Sequence, residues 1–150
     1  MKILFTRSKS PLSWLIRAVT REPVSHCAVL YNGLVAHSNL LGLHLTGENH
    51  FRETTEVVYE VTIPSIDQHE DHQKFWKLLD EEEGSLYDFG ALLFLGFCLI
   101  LRSIFKIPLP KSNLWAASGM FVCTEWVTEV VSEEEDAMIT PYGLYLKLKE

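Results

Sequence analysis

An α+β domain, with a mostly antiparallel sheet packed against helices, is predicted by three features of the chain. Short β-rich runs dominate the first 63 residues, helical periodicities dominate the rest, and Asn32-Gly33 joins two of the runs as a hairpin. Strands followed by helices, rather than alternating with them, point to α+β and not to a parallel α/β sheet. A length of 150 residues suits one domain spanning 1–150, long enough to bury a core without disulfides or a structural metal. Hydrophobic residues at 47% and charged residues at 22% exclude a disordered or low-complexity chain.

Taken in order, residues 1 to 22 read as an edge strand and a short amphipathic helix. In that helix Leu12, Leu15, Ile16 and Val19 recur at helical spacing before Pro23 ends it. VSHCAVLY (24–31) and LVAHS (34–38) follow as strands. The Asn32-Gly33 pair between them tolerates the positive φ of a type I′ turn. A further strand covers 56–63 and stops at Pro64. Phe75, Trp76, Leu78 and Leu79 mark a helix that ends near Gly84. Beyond it come an apolar helix from Phe89, a loop bracketed by Pro108 and Pro110, a helix over 122–132, and a short terminal element after Pro141-Tyr142-Gly143. Neither an internal repeat nor a linker is visible.

A formal charge of -7, with basic residues scattered, lacks the clustered positive charge of a nucleic-acid surface. Three cysteines without CxxC spacing, Cys27, Cys98 and Cys123, suit thiols in a reducing compartment. The apolar N-terminal run ends at Thr6 and is too short for a signal peptide, so a cytoplasmic enzyme, or one delivered by another route, is expected. Phe89–Leu101 spans 13 residues, short of the ~20 that cross a bilayer. It reads as a core helix, in preference to docking on a membrane surface.

The hairpin turn sets a register in which opposed residues have numbers summing to 65. His26 then lies opposite Asn39, and Ala28 opposite His37, so both imidazoles project from one face as a diagonal pair. A one-residue slip would turn His37 away. Either histidine alone would read as a core or surface residue; their shared face sets them apart.

In FVCTEWVTEVVSEEED, Cys123, Trp126, Val127, Val130 and Val131 follow the spacing of a buried helical stripe. Cys123 opens that helix, where the macrodipole and free backbone N–H groups favour a thiolate. Cys98, inside FLGFCLIL, and Cys27, turned from the histidine face, read as inert buried thiols. A nucleophilic thiol needs a base, and the base needs an orienting partner. Cys123 as nucleophile, His26 as base and His37 as orienter fill these roles, with Asn39 as the rival orienter. The Cys123 backbone N–H and the Tyr87 hydroxyl would serve as oxyanion donors.

These residues resemble the permuted branch of the NlpC-like papain-fold cysteine hydrolases, which includes the lecithin retinol acyltransferase-like enzymes. The likeness runs through Ser25-His26, His37, Gly42-Leu43, Tyr87-Asp88, Cys123-Thr124-Glu125 and Pro141-Tyr142-Gly143-Leu144 in that order. It implies a permuted papain-like fold and catalysis by Cys123, His26 and His37, with no cofactor and no metal. A histidine at the third position leans toward the acyltransferase-like members. Cys-Thr-Glu resembles the Cys-Ser-Glu of bacterial and phage-like ones, and Val122 and Trp126 stand where Asn-Cys-Glu-His would require Asn and His.

His69 and His72, around Glu70 and Asp71, read as solvated groups at a helix start rather than metal ligands. Glu133–Asp136 reads as a solvated helix end. The expected activity is amide hydrolysis through an acyl-enzyme on Cys123, acting on cell-wall-type peptide as the resemblance implies. The alternatives are a lipid thioesterase or acyltransferase and a binding module without turnover.

Overall fold

Ile3, Leu4, Phe5 and Thr6 are all fully buried, so both faces of β1 (Lys2–Arg7) are covered. A computed structural model describes residues 1–39, 42–64, 68–82, 86–87, 101, 120–121, 124, 127–128 and 139–149. It places this strand inside a five-stranded antiparallel sheet of order β4-β3-β2-β1-β5. The other members are β2 (His26–Tyr31), β3 (Leu34–Asn39), β4 (Gly42–Gly47) and β5 (Glu56–Thr62). The edge position expected for the first strand is therefore corrected. Backbone buried on both faces needs a hydrogen-bonded neighbour on each flank, because orphaned N–H and C=O groups are costly there.

The hairpin has the predicted register, with Tyr31 opposite Leu34, Leu30 opposite Val35 and Val29 opposite Ala36. Asn32 and Gly33 both take positive φ, 48° and 78°, as a type I′ turn requires. A Cβ added at Gly33 would meet nothing within 4 Å, so substitution is opposed by backbone conformation alone. Gly33→Ala should cost about 1 kcal/mol and lower Tm by about 2–4 °C, read from thermal melts. Gly33→Asn, which tolerates positive φ better, should cost less.

Alternation along the strands sorts the core into two layers. One face carries Ile3, Phe5, Cys27, Val29 and Ala36, and packs with Val24, Phe75, Val127 and Leu144. The other carries Leu4, Ala28, Leu30 and Val35, and packs with Phe51. The first face is covered by α3 (Gln68–Glu82) through Phe75, and by α4 (Pro141–Lys149) through Leu144. Tyr145 of α4 stacks on Tyr59 at 4.3 Å and meets Phe5 edge-on at 5.4 Å. Thr140 caps α4, its Oγ1 accepting from the Gly143 N–H at 3.0 Å and donating to Glu22 at 2.7 Å. Burial raises the Glu22 carboxyl above the ordinary carboxylate range, against the lowering effect of its hydrogen bonds from Thr140, Tyr142 and Thr20.

The second face is covered by α2 (Glu48–Thr54), which was not anticipated, and neither was β4. Phe51 anchors α2 in the core, and Arg52 links it to β5 by donating to Glu60 at 2.7 Å while donating to Glu48 within the helix at 2.8 Å.

The first helix, α1 (Pro11–Thr20), starts where Ser10 Oγ accepts from the Ser13 N–H at 3.1 Å. It stops at Arg21, which adopts φ 60° in the left-handed region two residues before Pro23. Of the Leu12-Leu15-Ile16-Val19 stripe, Leu12, Ile16 and Val19 are partly buried. Ser13 is buried, its Oγ 2.6 Å from Ser25 Oγ, whereas Leu15 is half exposed.

Two short strands, β6 (Leu86–Tyr87) and β7 (Met120–Phe121), pair in parallel, and β6 lies against β4. No helix among the described residues is long and apolar enough to cross a membrane. Of the apolar run from Phe89 to Leu101 only Leu101 is described, as helical. Gly84, Cys98, Pro108, Pro110 and Glu133–Asp136 lie outside the described residues.

Candidate functional site

Strand alternation puts Thr6, His26, His37, His44 and Thr46 on the face that α2 covers, since Thr6 opposes His26 and His37 opposes His44. The His26 and His37 rings meet edge to face with centroids 5.9 Å apart. This is the diagonal contact that the hairpin register implies. No hydrogen bond joins the two rings. His37 instead places Nε2 3.3 Å from Thr46 Oγ1, with its ring 4.1 Å from His44 and 4.8 Å from Phe51. The orienting partner of His37 is thus Thr46, and its hold on His26 is by ring contact.

His44 completes a row of three imidazoles and is itself oriented by a contact of 3.2 Å between Nδ1 and the Gly42 carbonyl, to which the ring N–H donates. Leu43 and Leu45 alternate with His44 and Thr46, the period-2 pattern of a half-buried strand. That pattern was the sequence signal for the residues missed here. Phe51 left only a weaker one, a lone aromatic in a polar stretch.

Burial is the main cause that pushes the His37 pKa down to about 3, with the neighbouring His26 and His44 adding to it. His37 is therefore neutral at physiological pH and serves by shape and hydrogen bonding, not charge. Among the described residues, two buried polar atoms on this face, Thr6 Oγ1 and His26 Nε2, have no hydrogen-bond partner. Leaving such atoms unsatisfied costs about 1–3 kcal/mol each. Side chains from β1 and β2 thus place an unpartnered imidazole nitrogen and a hydroxyl on this face.

Cys123 lies outside the described residues, and so do Trp126, Val130 and Val131. Around Cys123, Thr124, Val127 and Thr128 are helical and buried, and Thr128 Oγ1 donates to the Thr124 carbonyl at 3.0 Å. Val127 packs with Cys27 and Val29, on the face opposite the histidines. Tyr87 is placed by its backbone opposite Phe121, and Phe121 precedes Cys123 by two residues in the sequence. Asn39 is likewise placed by its backbone, opposite Gly42. The structure therefore brings His26 and His37 together and sets β6 beside the strand that leads to Cys123.

A cavity of about 320 Å³ opens beside the β4 edge and α3, lined by Leu43, His44, Leu45, Trp76, Leu79 and Asp80. Its described lining, apolar apart from His44 and Asp80, suits a mostly apolar group with a polar or cationic end. His69 and His72 have neighbours of their own: His69 Nε2 lies 3.1 Å from the Gln73 amide, and His72 lies against Tyr31 and Trp76. Among the described residues no group of three His, Cys, Asp or Glu side chains is arranged to hold a metal ion.

Comparison of the chain with protein-family models, with curated proteins and with solved structures gives no match.

Proposed function

We propose that this chain is a thiol-dependent hydrolase on a permuted papain-like fold, cleaving an amide bond through an acyl-enzyme on Cys123. The observation that carries the reading is the His26–His37 ring contact, with His26 Nε2 buried and unpartnered. That nitrogen is available to take a thiol proton and return it to the leaving amine. His37 and Thr46 act as positioning residues, since Thr46 holds His37 and His37 packs on His26. Attack by sulfur on the carbonyl carbon gives a tetrahedral oxyanion, for which the Cys123 N–H and the Tyr87 hydroxyl are the proposed donors. Collapse expels the amine with the proton from His26, and water then resolves the thioester. Cell-wall-type peptide is the proposed substrate class.

Alkylation by iodoacetamide, followed peptide by peptide with mass spectrometry, tests the pairing. Cys123 should react at about pH 6 and slow roughly tenfold or more in His26→Ala, because only the thiolate is nucleophilic and a free cysteine titrates near 8.5. An ordinary profile untouched by His26→Ala would favour the second reading, a binding module without turnover. The packing of Val127 against Cys27, away from the histidines, is the feature that supports it. Peptide and acyl-thioester donors, with Cys123→Ala as control, then separate amide hydrolysis from lipid acyl chemistry by adduct mass.

A further inference from the structure

We propose that the outward face of α1 docks on an anionic lipid surface. A helix on a water-exposed domain normally keeps its apolar residues on the inward side, but α1, whose Leu12, Ile16 and Val19 are partly buried, carries a second apolar stripe outward. Pro11, Trp14, Leu15 and Ala18, spaced i, i+3, i+4 and i+7, are all exposed, with Trp14 at 64% and Leu15 at 49%. The inner side is fastened by a polar contact, Ser13 Oγ to Ser25 Oγ at 2.6 Å. A contiguous apolar stripe of this kind marks an interaction surface, unlike scattered single residues.

Charge selects the occupant. Residues 1–21 contain five basic side chains and no acidic one, in a chain whose net charge is -7. Of these, Lys2 is paired with Glu60 at 3.5 Å and Arg7 with Glu56 at 2.6 Å, which leaves Lys9 and Arg21 exposed just beyond the two ends of α1 and Arg17 in its last turn. Trp and Leu flanked by Lys and Arg is the composition of a helix lying in a bilayer interface, with rings in the acyl boundary and cations at the headgroups. A second copy of the chain would bring like-charged flanks together, which opposes self-association through this face. Docking through α1 does not depend on the catalytic reading of Cys123. It would, however, hold the His26 end of the sheet near the lipid, because Ser25 immediately precedes His26.

Flotation of the full chain with vesicles tests it. Vesicles containing phosphatidylglycerol should carry the protein, those of phosphatidylcholine alone should not, and added salt should release it. Trp14→Glu with Leu15→Glu, both at exposed positions, should weaken binding roughly tenfold or more, and Lys9→Gln about fivefold, with circular dichroism unchanged. Failure to float with phosphatidylglycerol overturns docking. So does equal flotation of the Trp14→Glu, Leu15→Glu variant, or a concentration-dependent dimer that this variant abolishes.

Discussion

Lowering the pH from 6.5 toward about 4 is expected to cost the fold roughly 3 kcal/mol through His37 alone. Folded His37 takes up a proton only near pH 3, whereas the unfolded chain takes one near 6.5. Between those values the unfolded state binds the extra proton, so stability rises with pH. The contribution is fully present above 6.5, falls as the pH drops, and levels off below the folded value. Urea unfolding of wild type and His37→Gln across this range isolates it: the variant should show a distinctly shallower decline, since carboxylates and the other histidines are common to both. Parallel curves would mean that His37 meets solvent in the folded protein, and that the row His26-His37-His44 is not packed under α2.

Phe51→Ala is expected to cost about 3–5 kcal/mol. Phe51 is 2% exposed and is the residue by which α2 enters the core layer of Leu4, Ala28, Leu30 and Val35. A helix of seven residues with no side-chain cap at Gly47 has little stability of its own, so tertiary packing holds it in place. The same ring lies 4.8 Å from His37. Truncation should hydrate the imidazole and raise its pKa from about 3 toward the ordinary value. Histidine NMR titration beside chemical unfolding reads both effects, and Phe51→Leu should recover most of each. A loss under about 1 kcal/mol, with unchanged titration, would show that α2 does not seal this face.

Much of the sheet was legible because its determinants are local. The 26–31 and 34–39 strands, their turn and the 56–62 strand all carry alternation or turn chemistry within a few residues. The interior place of β1 is not legible locally, because it depends on pairing with β5, about 50 to 60 residues further along the chain. Periodicity groups Leu15 with Leu12, Ile16 and Val19, but α1 has apolar residues on more than one side, and the Ser13–Ser25 contact decides which side faces the core. At the candidate site, the pairing of His26 with His37 could be read from the hairpin. The contributions of Thr46, His44 and Phe51 could not, because they come from β4 and α2 and depend on how those elements pack.

Sequence alone determined that His26 and His37 share a side of the sheet: an Asn32-Gly33 turn with positive φ at both residues leaves one register, and register decides facing. Only the tertiary structure decided which helix lies over which side. Both sides of β1 and β2 are apolar and buried, so alternation separates two layers without labelling them. The assignment of α2 to the histidines and of Val127 to Cys27 follows from packing among elements distant in the chain.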